Sequence, residues 1–148
     1  MMTNRSIHLG AGAVLSLIVV LTGPMSCHRG PTSALPDESR VYPYDRDTMA
    51  TLDVQIFRDG PKIEVFNHTV DTFMDFRLWL NERFVYEIDV LPAGESIELS
   101  LFDFHDEYGE AFRGGGLFAR YEPDPLVKAE METEDGLFAF VAIPEPGF

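Results

Sequence analysis

The densest group of chemically versatile side chains lies in the eight residues DFHDEYGE. Its four carboxylates and one imidazole are Asp103, His105, Asp106, Glu107 and Glu110. Because Ca²⁺ prefers oxygen ligands, this segment is a candidate calcium site. It departs from the EF-hand loop, since Tyr108 stands where that loop needs a glycine, and one histidine is too few for a zinc site. The alternative without a metal is a solvated acidic connection.

The same carboxylates are also candidates for the catalytic acid and base of a small hydrolase. Glycosidases need two carboxyl groups at a suitable separation, one as acid and one as base. Asp103 or Glu107 would be the acid, and Asp106 or Glu110 the base. Such pairs arise by chance in a chain with 25 acidic residues, and no serine lies in a nucleophile-elbow motif. We therefore predict no catalytic residue and favour a non-enzymatic role, with the hydrolase as an alternative.

The single tryptophan, Trp79, and its neighbour Arg77 are candidates for contact with a ligand or partner. In the segment FRLWL they alternate with Phe76, Leu78 and Leu80. If that apolar row faces the core of a strand-built domain, Trp79 and Arg77 lie on the outer face. An exposed tryptophan can stack on a sugar ring or anchor a partner protein. The alternative is that a neighbouring loop or the C-terminal IPEPGF covers Trp79.

The chain begins with a segment that has the layout of a signal peptide. Residues 1–8 carry Arg5 and no acid, and residues 9–23 form a largely apolar run. A run of about 15 residues is short for a membrane-spanning helix, which needs about 20. We therefore predict an exported protein with a signal peptide over residues 1–26.

The single cysteine, Cys27, follows this leader directly. The end of the leader resembles a bacterial lipoprotein signal, in which such a cysteine is acylated and becomes the new N-terminus. Ser26 fits that pattern, whereas Pro24 and Met25 depart from it. A lone cysteine forms no internal disulfide. The resemblance implies a lipid anchor at Cys27, and the alternatives are an uncleaved or otherwise cleaved leader and a reactive thiol.

Composition and charge limit the classes of partner. Residues 27–48 are polar, contain three prolines and show no period, which predicts a flexible linker before a domain over residues 49–148. The 25 acidic residues exceed the 11 lysines and arginines and give a formal charge of -14. Such a surface repels phosphate backbones and anionic lipid headgroups, so we expect no nucleic-acid partner. It favours cations or basic partners.

The remaining chain has the alternation of half-buried strands. Leu52, Val54 and Ile56 fall on one face, and residues 76–90 form a hairpin with its turn at 81–83. The segments LVKAEMET and LFAFVAI predict a second hairpin. Because no segment shows a helical stripe, we predict an all-β fold. We expect about seven or eight strands in a two-sheet, antiparallel, immunoglobulin-like β-sandwich, after a signal helix and the linker.

Residues 63–101 carry a recognisable scheme of turns. A strand is followed by Asn67 and Thr69, then by two strands and a Leu-Pro-Ala-Gly turn that leads into another alternating strand. This scheme resembles the small immunoglobulin-like or fibronectin-like domains of exported bacterial proteins, including the CARDB-like and FxLYD-like families. The resemblance covers about a quarter of the chain. It implies a structural, adhesive or interaction-mediating sandwich and brings no catalytic residue.

Together these features predict a non-enzymatic protein of the bacterial cell envelope. We expect it to be attached to a membrane through Cys27, or else secreted or periplasmic, and to contact an envelope protein or glycan. A carbohydrate- or calcium-binding sandwich is the first alternative, and a small envelope hydrolase is the second. No cofactor is expected beyond the calcium of that first alternative.

Overall fold

A computed structural model of the chain describes residues 35–116 and 119–143. These residues belong to one compact unit, and the predicted signal peptide and Cys27 lie outside them. The all-β class is confirmed, because the described regular structure consists of seven strands and two single 3-10 turns. The turns are Glu38–Arg40 and Leu101–Asp103, and the strands are β1 (Thr48–Asp59), β2 (Lys62–Asn67), β3 (Phe73–Leu80), β4 (Phe84–Leu91), β5 (Ser96–Ser100), β6 (Ala129–Glu132) and β7 (Leu137–Ile143).

The seven strands form one mixed sheet in the order β4-β3-β6-β7-β1-β2-β5, and this sheet is nearly closed into a barrel. Both predicted hairpins are present, as β3 with β4 and β6 with β7. The prediction of purely antiparallel pairing is wrong at one place, because β1 and β7 run parallel. Alternation specifies the face on which a side chain lies, but not the direction of the neighbouring strand. Strand β1 pairs with β2 through one edge and with β7 through the other.

The hydrophobic core contains side chains from strands at both ends of the sheet. Residues of β1 and β2 share one buried cluster with residues of β3 and β4, and Leu78 lies at its centre with no exposed surface. Strands that are distant in the sheet can share a core only if the sheet curves back on itself. Members of the cluster from these four strands include Val54, Ile56, Ile63, Val65, Phe76, Leu80, Phe84 and Ile88.

The chain after β5 covers one edge of the sheet. His105 exchanges two backbone hydrogen bonds with Val85 on the outer edge of β4, with N···O distances of 3.0 and 3.2 Å. Phe104 and Phe112 of the same segment are fully buried, and their backbones are joined by a hydrogen bond of 2.9 Å. Since an uncovered edge offers unpaired backbone groups to other chains, this segment both closes the core and protects β4.

Asn67 forms hydrogen bonds with two turns, the one that follows β2 and the Leu-Pro-Ala-Gly turn that precedes β5. Its side chain is fully buried and its Oδ1 accepts hydrogen bonds from the backbone N and the hydroxyl of Thr69, at 3.0 and 2.7 Å. Its Nδ2 donates to the carbonyl oxygens of Asp71 at 2.8 Å and Pro92 at 3.1 Å. Its own carbonyl accepts from Gly94 N. The interpretation of Asn67 as the residue that holds this turn is confirmed.

Asn67→Ala is expected to lower the free energy of unfolding by about 2–4 kcal/mol, because it leaves buried carbonyl groups without a donor. Val70→Ala in the same turn is the matched control, since Val70 is 92% exposed, and should change stability by less than about 0.5 kcal/mol. Urea unfolding of both variants at pH 7 measures the difference. Equal effects would show that the Asn67 hydrogen bonds do not stabilise the fold.

Candidate functional site

Residues 35–47, here called the docked segment, lie against the folded domain. Asp37 N donates to the carbonyl of Glu107 at 2.7 Å, and Arg77 Nη1 donates to the carbonyl of Ser39 at 2.9 Å. Tyr42 is buried, with only 7% of its surface exposed. This part of the predicted flexible linker therefore belongs to the folded unit, and only residues 27–34 of that linker lie outside the described part of the chain.

Trp79 lies on the outer face of its strand, as predicted, but it is not exposed. It has no solvent-accessible surface and forms a second apolar cluster with Tyr42, Val85 and Leu137. The edge of the Tyr42 ring meets it at a centroid distance of 5.4 Å and an interplanar angle of 87°. Of the two alternatives for Trp79, an exposed contact residue or a covered one, the structure shows the second, because the docked segment covers the ring.

Strand β6 presents two carboxylates to this covered outer face. Ala129 and Met131 point into the main core, whereas Glu130 and Glu132 alternate with them. Both glutamates are buried, at 1% and 7% exposure. A buried carboxylate needs hydrogen bonds or a counter-ion to offset its loss of hydration. These two side chains therefore determine what can cover the sheet.

Glu130 connects the docked segment to the sheet. Its carboxylate accepts hydrogen bonds from Tyr42 Oη at 2.5 Å and Thr48 Oγ1 at 2.6 Å, and it pairs with Lys128 Nζ at 3.1 Å. Burial alone would raise the pKa of Glu130, but the hydrogen bonds from Thr48, Tyr42 and Lys128 outweigh burial and lower it. Burial and the bond to Glu130 raise the pKa of the Tyr42 hydroxyl. Glu130 therefore stays ionised while Tyr42 keeps its proton.

Glu132 binds Trp79 and two arginines. Trp79 Nε1 donates to Glu132 Oε2 at 2.8 Å, Arg77 Nε lies 3.4 Å from the same oxygen, and Arg46 Nη1 lies 3.5 Å from Oε1. Because Arg77 also holds Ser39 of the docked segment, its guanidinium has a structural role in this fold. The contact predicted for Arg77 with an external partner stays a prediction.

The carboxylate of Asp106, one of the predicted metal ligands, forms an ion pair with an arginine. Its side chain is 1% exposed, and Oδ2 pairs with Arg83 Nη2 at 2.6 Å. Its Oδ1 accepts from the backbone N of Tyr108 at 3.0 Å and of Glu110 at 2.8 Å. Burial alone would raise the pKa of Asp106, but the Arg83 guanidinium and these backbone donors lower it. Asp106 thus fixes the loop that carries Tyr108.

The other candidate ligands point to different partners. His105 Nδ1 lies 2.8 Å from the carbonyl of Asp103, and Glu110 shares Arg83 with Asp106, at 2.8 Å. Within the described ranges no three histidine, aspartate or glutamate side chains converge as metal ligands would. Of the five residues proposed for calcium, Asp106 and Glu110 therefore meet at Arg83, and no three converge in the described ranges. Arg83 lies 23 residues from Asp106, in the β3–β4 turn, so local spacing gives no signal for it.

Comparison with known proteins gives no further assignment: no family model, curated protein or solved structure matches the chain. In the described part of the chain, no helix has the length and apolar character needed to cross a membrane. Any function is therefore inferred from the contacts above.

Glu130→Gln is expected to lower the free energy of unfolding by about 2–4 kcal/mol at pH 7, because it breaks a buried, paired charge. The folded state holds the pKa of Glu130 below its ordinary value of 4.5. The stabilisation that ionised Glu130 gives the folded state is therefore present above the ordinary pKa and is lost as the pH falls through the folded-state pKa. The difference between wild type and variant should shrink from pH 7 to about pH 3 in urea unfolding.

Glu134→Gln is the matched control, because Glu134 is exposed on the turn after β6. It should leave stability within about 0.5 kcal/mol of wild type at each pH. A Glu130→Gln effect that does not vary with pH would contradict an ionised, hydrogen-bonded Glu130.

Proposed function

We propose that this chain is a non-enzymatic module of the bacterial cell envelope, attached to a membrane through an acylated Cys27, that mediates structural or binding contacts. The observation that carries the proposal is the docked segment. Each of the buried carboxylates, Asp106, Glu130 and Glu132, serves a contact that holds a loop or this segment in place. A catalytic acid or base must exchange a proton with its substrate, whereas the oxygens of these three carboxylates accept bonds from other side chains or from the backbone. The use of these carboxylates supports a scaffold role.

We also propose that the curved sheet is an immunoglobulin-like sandwich with two layers. One layer would contain β4-β3-β6-β7 and the other β1-β2-β5, joined through the parallel β1–β7 pair. In support, these layers share one core. Their strand order also corresponds to the C′CFG and ABE orders of immunoglobulin domains. Such a fold hosts many functions, so it is consistent with a binding module without identifying the partner.

The docked segment would place the domain close to the membrane. Asp37, which donates its backbone N–H to Glu107, follows Cys27 by ten residues, which extend over at most about 36 Å. A linker that ended at residue 48 would reach more than about 65 Å. The formal charge of -14 disfavours direct attachment to anionic headgroups. A covalent lipid supplies the attachment that this surface does not.

Expression in a bacterium with the native leader tests the anchor. The wild-type chain should fractionate with membranes as a species that begins at Cys27 and is heavier by a diacylglycerol unit. Cys27→Ala should lose the added mass and leave the membrane fraction, because the cysteine is the only site for this acylation. Intact mass and membrane fractionation are the measurements.

Ser26→Ala is the matched control, since it keeps a small residue before the cysteine and should still be acylated. An unmodified wild-type species that fractionates in the same way as Cys27→Ala would contradict the lipid anchor. The chain would then be secreted, or held by an uncleaved leader.

A further inference from the structure

A cleft of about 380 Å³ lies between the docked segment, the β3–β4 turn and the loop that follows Asp106. Its volume is within the range of about 300–1,000 Å³ that is usual for small-ligand sites. We propose that this cleft, here called the tyrosine cleft, binds an uncharged oligosaccharide on the rings of Tyr44 and Tyr108. The inference rests on the proposed role as a binding module and does not depend on the acylation of Cys27.

Two tyrosine rings offer apolar faces beside polar groups. Tyr44 is 74% exposed and Tyr108 is 56% exposed, and both line the cleft. A tyrosine ring combines an apolar face with a polar end, which suits a sugar with apolar C–H faces and hydroxyl groups at its edge. The buried Tyr42 supports Tyr44 from below, with ring centroids 4.8 Å apart.

Hydrogen bonds hold the ring of Tyr44 and the backbone of Tyr108. Tyr44 Oη donates to the carbonyl of Glu82 at 3.2 Å. The backbone N of Tyr108 donates to the buried Asp106 at 3.0 Å. A ligand that binds to positioned side chains avoids much of the entropy loss of ordering them. The Tyr44 ring and the Tyr108 backbone are therefore in position before a ligand binds.

Four of the five charged side chains of the cleft have ionic partners, and the fifth, Glu107, lies beside the Tyr108 hydroxyl. Arg83 pairs with Asp106 at 2.6 Å, and Glu82 pairs with Lys128 at 2.6 Å. Arg40 lies 3.6 Å from Asp37. At the four paired groups a charged ligand would have to displace an ionic partner, whereas hydroxyl groups can use the remaining donor and acceptor positions of the same groups. This pairing favours a neutral, hydroxyl-rich ligand over a charged peptide.

The backbone of the cleft wall has a conformation that side chains other than glycine seldom adopt. Asn81 and Glu82 have φ angles of 54° and 57°, and the left-handed region disfavours a residue such as glutamate by about 1–2 kcal/mol. Asn81 Oδ1 accepts from Val127 N at 2.9 Å, and Glu82 is held by Lys128. Strained residues of this kind cluster at binding sites because surrounding contacts fix them in one geometry.

Titration calorimetry with the full chain tests the proposal, in a detergent without a sugar headgroup. The probes are uncharged hexasaccharides of glucose, xylose and N-acetylglucosamine. We expect at least one to bind with a Kd between about 10 µM and 1 mM, and Tyr44→Ala and Tyr108→Ala each to weaken it about tenfold or more. Tyr44→Phe, which keeps the ring, should retain most of the affinity.

Tyr121→Ala is the matched control, since Tyr121 is 69% exposed and lies outside the cleft. It should bind as wild type, and all variants should keep the wild-type melting temperature. The inference is overturned if no hexasaccharide binds, or if the Tyr44 and Tyr108 variants bind as wild type. It is also overturned if a lysine-rich peptide alone binds in a tyrosine-dependent way. The Cys27→Ala result is independent, so failure of the cleft and failure of the anchor are distinguishable.

Discussion

The pairing of Glu130 with Tyr42, Thr48 and Lys128 fixes the outer face of the sheet. A carboxylate at 1% exposure is tolerated only when donors surround it, and two of these donors come from the docked segment and the start of β1. Once Tyr42 is in place it covers Trp79 and supports Tyr44. The cover of the second apolar cluster and one wall of the tyrosine cleft thus depend on the same buried charge.

The acidic composition makes the few cationic side chains decisive for local structure. Arg83 neutralises Asp106 and Glu110, and Lys128 neutralises Glu82 and Glu130. Each of these cations lies between two carboxylates, so it lowers repulsion within the domain as well as forming a pair. The excess negative charge remains on the surface, where it favours solubility.

The sequence predicts the strands well because period-two alternation reports burial directly. Val54 and Ile56 lie in the core as their spacing requires, and Asn67 holds its turn. The alternation in FRLWL also places Trp79 on the correct face, but it carries no information on what covers that face. The signals that were available are Tyr42 and Tyr44 in a largely polar segment and two glutamates that alternate with Ala129 and Met131 in the segment AEME.

The acidic segment after β5 shows a second limit of sequence reasoning. Spacing along the chain suggested a group of metal ligands, yet Asp106 is paired with an arginine from another turn. The charge partners of a loop residue depend on tertiary contacts that local spacing does not encode. For the same reason the tyrosine cleft, which three separate segments build, has no local signature in the sequence.

The parallel pairing of β1 with β7 also sets how the domain responds to a pulling force. Because the two strands run in the same direction, the beginning of β1 at Thr48 and the end of β7 at Ile143 lie at opposite ends of the pair. A force that separates these two points loads the hydrogen bonds between the strands in shear, so they bear it together. Antiparallel strands pulled in the same way would peel apart one bond at a time. A domain held at its N-terminal side and pulled at its last strand therefore resists extension without any covalent cross-link.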